Sequence, residues 1–178
     1  MRPASVTYGV ASPAEIAGMT GKEFLQAVSD GRLPAPPIAK VLNMWLAEVG
    51  DGFAVFEGDT GPELLNPQGT VHGGWALTLI DSATTCAAHS LLPAGASSTT
   101  VETKGNFSRP ITAETGRVRA EGRVVSRGRR IISAEARVLD GAGRVLAHGT
   151  ATIMVLNGDG DGDRRPAAGG AKRGQSSR

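Results

Sequence analysis

Hydrophobic and polar residues alternate with a period of two along three stretches in the second half of the chain. These stretches are residues 101–107, 117–124 and 132–138. Such alternation is typical of strands that bury one face. Glycine-containing connections at 127–129 and 140–143 follow the second and third stretches, and the latter leads to a fourth run at 144–156. Because short connections of this kind favour tight antiparallel turns, the sequence predicts an antiparallel meander.

A single long helical pattern precedes these strands. Apolar residues follow the i, i+3, i+4, i+7 spacing from about Gly73 to Leu92, and Pro93 and Gly95 end the pattern. A helix of about 20 residues is roughly 30 Å long. A curled antiparallel sheet of five or six strands is what could cover it. The sequence therefore predicts an α+β fold in which a curved sheet wraps one long central helix.

The first half of the chain predicts one shorter helix and two more strands. Thr20 and Glu23 have the spacing of a capping box, and an amphipathic pattern follows them, so a short N-terminal helix is expected. Three prolines within 33–37 predict an extended connector. Strands are expected at 39–49 and 52–57.

These patterns divide the chain into three parts. Residues 1–36 are predicted to form an N-terminal helical extension with its proline-rich connector, and residues 37–156 the α+β domain. Residues 157–178 contain six glycines and no apolar residue larger than alanine or proline. Because such a segment buries too little apolar surface to offset the entropy of ordering, we predict a disordered tail.

Composition and charge narrow the classes of function. A chain of 178 residues with 40% apolar residues predicts one domain with one sizeable core. Five of the 19 basic and three of the 17 acidic residues lie in 157–178, so the first 156 residues are formally neutral. Only 4% of the residues are aromatic. Since nucleic-acid binding draws on clustered positive charge and on stacking, we expect no nucleic-acid partner.

The cysteine, histidine and hydropathy patterns argue against several other features. Cys86 is the one cysteine and cannot form an internal disulfide, and the three histidines show no zinc-ligand spacing with it. No metal site is therefore expected. No apolar stretch approaches the roughly 18 residues of a membrane-spanning helix, and the first residues lack the apolar run of a signal peptide. We expect no membrane partner and a cytoplasmic location.

Two glycines at the start of the long helix are the first candidates for chemistry. The segment 66–74 reads NPQGTVHGG and ends with Gly73 and Gly74. Glycine leaves the backbone N–H groups of the first turn uncovered, and these groups, with the helix dipole, can stabilise a carbonyl oxygen that gains charge. The alternative is a turn in which the glycines permit close packing.

Asp81 is the second candidate because it lies in the middle of the most apolar helix of the chain. A carboxylate there is costly unless it is hydrogen-bonded or used in catalysis; the alternative is an aspartate on a solvent-facing stripe. Eight residues separate Gly73 from Asp81, about 12 Å of helical rise. That separation is too large for both to act on one carbonyl carbon. If both are catalytic, two subunits must build each site.

Three motifs together resemble the hotdog-fold acyl-CoA thioesterases of the phenylacetate-degradation (PaaI-like) type. They are Asn-x-x-Gly-x-x-His-Gly-Gly-x6-Asp at 66–81, a threonine-rich strand (Thr99, Thr100) that runs to NFSRP at 106–110, and Val125-x-x-Gly128-Arg129. The resemblance covers about residues 21–156. It implies the hotdog fold, in which a curved antiparallel sheet wraps a long helix. It also implies a homodimer or homotetramer whose sheets pair edge to edge, with sites at the dimer interface.

The resemblance further implies a role for each matching residue. Gly73 would supply the N–H that polarises the thioester carbonyl, and Asp81 of the other subunit would be the general base or nucleophile. Asn66 would help to place the water or the carbonyl, and His72 would shape the loop and hydrogen-bond the substrate. The hydroxyl that orients the attacking water would come from Thr100, with Ser98 and Thr99 as the neighbouring alternatives.

The CoA part of the substrate has its own candidates. They are Gly74, Arg109, Gly128 and Arg129. Guanidinium groups at strand ends could meet the CoA phosphates, although solvated arginines are an equal alternative. A thiolate is a good leaving group, so an activated water and a stabilised oxyanion suffice. No cofactor is expected, since CoA is part of the substrate.

The function predicted on this basis is hydrolysis of an acyl-CoA thioester to the free acid and CoA. Two alternatives stay open. Hotdog proteins also include hydratases and dehydratases of acyl thioesters, and a non-catalytic acyl-CoA-binding module would bind the same ligand without turnover. The acyl chain that is preferred is not determined by the periodicity.

Overall fold

The computed structural model describes residues 6–156. The helices are α1 (Pro13–Ile16), α2 (Gly21–Ser29), α3 (Pro37–Val41) and α4 (Gly73–His89). The strands are β1 (Met44–Gly50), β2 (Phe53–Asp59), β3 (Ser97–Phe107), β4 (Arg117–Arg127), β5 (Ile131–Leu139) and β6 (Val145–Leu156). The tail that was predicted to be disordered, 157–178, lies outside the described residues.

The six strands form one antiparallel sheet with the order β1-β2-β4-β5-β6-β3. The three strands β4, β5 and β6 form the predicted meander. The meander does not extend to β3, which pairs with β6 instead of β4. Because β4 pairs with β2 on its other side, through Phe56 opposite Ala120, β3 is left to form the far edge of the sheet.

Helix α4 lies against the concave face of the sheet and forms the centre of the core. Leu79, Ile80, Ala83 and Ala87 have no exposed surface. The sheet approaches the helix closely at Gly122, where a Cβ atom would collide with the carbonyl group of Ala83. This arrangement of a long helix wrapped by a curved sheet confirms the predicted α+β hotdog fold.

One face of α4 is not fully covered by the sheet, and we call it the open face. It consists of the half-exposed residues Leu77, Thr78, Asp81, Ser82, Thr85, Cys86 and His89. The residues between them along the helix are buried. The spacing of three and four places the open-face residues on one side of the helix, so Asp81 faces away from the centre of the core.

The N-terminal segment, residues 6–36, packs beside this domain. The predicted capping box at Thr20 is present, with the Glu23 side chain accepting from the Thr20 backbone and the Thr20 side chain from the Glu23 backbone. The N–H of Gly21 donates to the carbonyl of Leu92 at 3.0 Å. The ring of Phe24 meets the ring of His89 edge-on at 5.9 Å. Helix α2 is thereby attached to the C-terminal end of α4.

Two predicted boundaries are wrong. The strand expected from Ala39 begins only at Met44, because α3 occupies 37–41. Pro37 is in the first turn of that helix, where its fixed φ is favourable and its missing N–H costs nothing. The long helix ends at His89 rather than Leu92. Leu91 and Leu92 each donate to the carbonyl three residues earlier, so the chain tightens into a turn there.

Candidate functional site

The start of α4 distinguishes the two glycines. His72 is the N-cap, and its Nδ1 accepts a hydrogen bond of 2.9 Å from the N–H of Gly74. Within the described residues, the N–H of Gly73 makes no hydrogen bond. Since the first-turn N–H groups have no partner inside a helix, Gly73 offers a free donor at the positive end of the helix dipole.

His72 is exposed and acts on the loop through one ring nitrogen. Because Nδ1 accepts the hydrogen bond from Gly74, the proton of the neutral imidazole resides on Nε2. This bond ties the His72 ring to the first turn of α4. Its Nε2–H remains as a second donor at the start of α4.

The loop before α4 is held together by Asn66. Its Oδ1 accepts from the backbone N–H groups of Gln68 at 2.9 Å and Thr70 at 3.3 Å. Its Nδ2 donates to the hydroxyl of Thr70 at 2.9 Å. The carboxamide has two N–H bonds, so one donor remains after the bond to Thr70.

A cavity of about 300 Å³ brings three of the predicted site residues together. Asn66, Gly73 and Arg109 line it, beside the aromatic ring of Phe107. A Cβ on Gly73 would lie 3.1 Å from that ring, so glycine permits the close approach. The Arg109 guanidinium donates to the Val145 carbonyl at 2.6 Å, which holds it at the edge of the cavity.

Asp81 lies outside this cavity, on the open face of α4. Its Oδ1 accepts a hydrogen bond of 2.8 Å from the hydroxyl of Thr103 on β3. The helical rise between Gly73 and Asp81 is about 12 Å. Within one protomer, the free N–H and the carboxylate are therefore separate.

Thr100 does not contact Asp81 in the protomer. Its hydroxyl pairs with that of Thr85, one turn further along α4, at 2.7 Å. Strand β3 has a bulge between Thr100 and Glu102, and the extra residue, Val101, is 59% exposed. The bulge resets the alternation and turns Thr103 toward the helix. The sequence did not identify Thr103 as the neighbour of Asp81, because no residue in this strand indicates a bulge.

Gly128 and Arg129 lie at the other end of the molecule. They line a cavity of about 400 Å³ with Leu92 and Pro93, just after the C-terminal end of α4. The 17 residues of α4 separate this cavity from Gly73 by about 25 Å. One protomer therefore does not bring Arg109 and Arg129 together. Gly74, the fourth CoA candidate, is exposed beside His72.

Two further properties concern the described residues only. No helix among residues 6–156 is long and apolar enough to cross a bilayer. In the same range, no three side chains of His, Cys, Asp or Glu are grouped so that they could hold a metal ion.

Comparison with protein families and solved structures gives consistent matches. The model of the thioesterase superfamily matches residues 68–147, a range that contains Gly73, Asp81 and Arg109. No sequence among the curated proteins that were compared matches the chain.

Three solved structures illustrate the similarity. A thioesterase family protein of Silicibacter pomeroyi is 33% identical, with a TM-score of 0.63, over 68% of this chain and 90% of that one. A phenylacetic acid degradation-related protein of Ralstonia eutropha is 28% identical, with a TM-score of 0.67, over 74% and 98%. The PaaI protein of the Escherichia coli phenylacetic acid degradation operon is 23% identical, with a TM-score of 0.62, over 68% and 85%. At 23% identity, the last of these supports only the similarity of fold.

Proposed function

The chain belongs to the thioesterase superfamily and has its hotdog fold, and on this basis we propose that it hydrolyses an acyl-CoA thioester to a carboxylic acid and CoA. The observation that carries the proposal is the free N–H of Gly73 at the start of α4, in a cavity that Asn66 and Arg109 also line. An unpaired N–H at a helix start is suited to an oxygen that gains negative charge. The thioester carbonyl is such a group.

Each site is completed by a second copy of the chain. Gly73 and Asp81 are too far apart in one protomer to act on the same carbon, and Asp81 is on the half-exposed open face of α4. A two-fold dimer that packs the open faces together would bring the partner subunit's Asp81 toward Gly73. Strand β3 is an edge strand, so edge-to-edge pairing of the sheets through β3 is compatible with that packing.

The reaction then follows from the groups present. The partner subunit's Asp81 accepts a proton from a water molecule as the water oxygen bonds to the thioester carbon. The carbonyl electron pair moves to oxygen, where the Gly73 N–H stabilises it. When the carbonyl re-forms, the carbon–sulfur bond breaks and the CoA thiolate leaves, taking up the proton that Asp81 holds. Attack by the carboxylate itself, followed by hydrolysis of the anhydride, is the nucleophilic variant of this route.

Other residues position the parts of the substrate. Asn66 keeps the loop before α4 in shape and lines the cavity. Arg109 borders the same cavity, where its guanidinium could meet a CoA phosphate. Arg129 and Gly128 lie beyond the other end of α4, so they contribute to a given site only from the partner subunit.

The cytoplasmic location and the absence of a cofactor remain predictions.

The full chain tests the proposal in an assay that follows the release of free thiol from acyl-CoA. Asp81→Asn keeps the shape of the side chain and removes the base. We expect turnover to fall by roughly a hundredfold to ten-thousandfold, with the circular dichroism spectrum unchanged. Ser82→Ala alters the adjacent open-face residue and is expected to retain turnover within a few-fold. Near-normal thiol release by Asp81→Asn would reject the assignment.

A further inference from the structure

A second cavity lies between the N-terminal segment and the domain, and it has a volume of about 350 Å³. On one side it is lined by Ile16, Phe24, Leu25 and Val28 of the N-terminal segment. On the other side it is lined by Trp45, Leu46, Phe56 and Cys86 of β1, β2 and α4. It shares no lining residue with the cavity at Gly73.

The lining of this cavity suits an apolar occupant. No charged side chain of the described residues lines it. The hydroxyl of Ser29, a lining residue, already donates to the Leu46 carbonyl at 3.3 Å. Protein interiors contain few voids larger than a water molecule, whereas pockets for small ligands begin at about 300 Å³ and are mainly apolar. The cavity therefore has the size and the chemistry of a ligand pocket.

The volume indicates the size of the occupant. An apolar cavity of about 150 Å³ holds one benzene molecule. On that scale, the cavity of about 350 Å³ has room for a hydrocarbon group of about fourteen carbon atoms.

One lining residue of the cavity, Cys86, is on the same helix as the proposed catalytic carboxylate. Cys86 follows Asp81 by five residues on α4, which is about 7.5 Å along the helix axis and about 140° around it, so the two residues lie at opposite margins of the open face. Burial raises the pKa of the Cys86 thiol to about 12, and the negative charge of Asp81 adds to the increase. The thiol is thus partly shielded from water, and it is within electrostatic reach of Asp81.

The N-terminal segment is held firmly enough to define the cavity wall. Tyr8 and Ala35 form a β-bridge, and the N–H of Gly9 donates to the Ala35 carbonyl at 2.9 Å. The N–H of Leu33 donates to the Ala27 carbonyl at 2.9 Å. These hydrogen bonds join the two ends of the N-terminal segment to each other. The segment therefore has a defined conformation, and this conformation sets the depth of the cavity.

We propose that this cavity receives the acyl chain of the thioester, so that the N-terminal segment selects apolar acyl groups of up to about fourteen carbon atoms. The inference rests on the proposed function. A thioester carbon beside Asp81 would direct its chain along the open face of α4, past Thr85, into the cavity of the same protomer that supplies the carboxylate. Shorter chains leave the apolar walls uncovered, and so they gain less from burial.

Two filling variants and one matched control test the inference. Ala11→Phe and Val28→Phe place a ring at positions that line the cavity. Ala14→Phe adds the same ring at an exposed position of α1. In wild type, we expect kcat/KM to increase from butanoyl-CoA to dodecanoyl-CoA. The filling variants should lose at least tenfold of this preference, because failure to bury even two CH₂ groups costs about that much, and Ala14→Phe should retain it.

A binding measurement separates this inference from the proposed reaction. Dodecanoate, the free acid, is titrated into wild type, the two filling variants and Ala14→Phe in a calorimeter. Binding that is lost in the filling variants and kept in Ala14→Phe, in a protein that releases no thiol from any acyl-CoA, would reject the hydrolysis and retain the acyl-chain site. Hydrolysis whose chain-length profile and dodecanoate affinity are the same in wild type and both filling variants would overturn the inference alone. If the filling variants do not fold, Val28→Ala should shift the preference to longer chains, and an unchanged profile in that variant would also overturn it.

Discussion

The hydroxyl of Thr103 donates a hydrogen bond of 2.8 Å to the carboxylate of Asp81. The bond joins edge strand β3 to the open face of α4, and it leaves the second carboxylate oxygen available. A carboxylate on a half-exposed helix face has several rotamers, and this bond selects one of them. Thr103 is therefore a positioning residue for the proposed base.

Replacing Thr103 tests that role. Thr103→Val keeps the shape and removes the donor, and we expect kcat to fall about tenfold because a hydrogen bond to a charged group is lost. KM should change little, since Thr103 acts through Asp81. Thr103→Ser restores the hydroxyl and should restore kcat. Steady-state kinetics on one acyl-CoA measures kcat and KM separately. A kcat in Thr103→Val equal to that of wild type would exclude a positioning role.

Gly73→Pro removes the proposed oxyanion donor without removing the helix. Proline is favourable in the first helical position, and His72, with φ −59° and ψ 130°, already has the extended conformation that precedes a proline. We expect kcat to fall by about a hundredfold, as for loss of an oxyanion donor.

Gly73→Ala is the matched control for that variant. It retains the N–H and adds a Cβ 3.1 Å from the Phe107 ring, and this ring is 57% exposed and can shift. We therefore expect a smaller loss in Gly73→Ala than in Gly73→Pro. Equal kcat values for the two variants would show that the N–H is not used.

Mixing two inactive variants tests whether two subunits share one site. In a heterodimer of Gly73→Pro and Asp81→Asn, one site has both defects and the other has an intact Gly73 and an intact Asp81. Random pairing after refolding the variants together should restore about a quarter of wild-type turnover. If the mixture has no more activity than its separate components, either Gly73 and Asp81 act within the same subunit or one of them is not used in catalysis.

His89 predicts how stability depends on pH. Burial lowers the pKa of its imidazole below the usual 6.5, so below pH 6.5 the unfolded chain takes up a proton before the folded protein does. The free energy of unfolding should therefore decrease as the pH falls from 6.5 to the lowered pKa, and stay level below it as far as His89 is concerned. His89→Gln removes this contribution. Urea unfolding of both proteins between pH 7.5 and pH 5 measures how the free energy of unfolding depends on pH. The two proteins should show the same pH dependence if His89 does not contribute.

Local patterns in the sequence predicted most of the fold. The capping box at Thr20, the apolar spacing of α4 and the alternation in β4 and β5 each involve residues within a turn or two of one another, so they could be recognised along the chain. The expectation that Gly73 and Asp81 cannot act within one protomer also needed only the rise of a helix. The pairing of β3 with β6 and the helix α3 could not be recognised in this way.

The candidate site shows the same division. The loop residues Asn66, His72 and Gly73 are close in the chain, and the structure places them together. Thr103 lies 22 residues after Asp81, and its contact depends on a bulge that shifts the alternation by one residue. Arg109 and Arg129 have equivalent chemistry in the sequence, but the fold puts them at opposite ends of α4.

By itself, the sequence determined most of the helices and strands, including α2, α4 and the meander, and it supplied the candidate site residues, because these inferences depend on neighbours along the chain. Only the tertiary structure decided which strand lies at the edge, which hydroxyl reaches Asp81, and that the N-terminal segment encloses an apolar cavity beside Cys86. Those contacts join residues far apart in the chain, and they are selected by the packing of the whole sheet around α4 rather than by any local pattern.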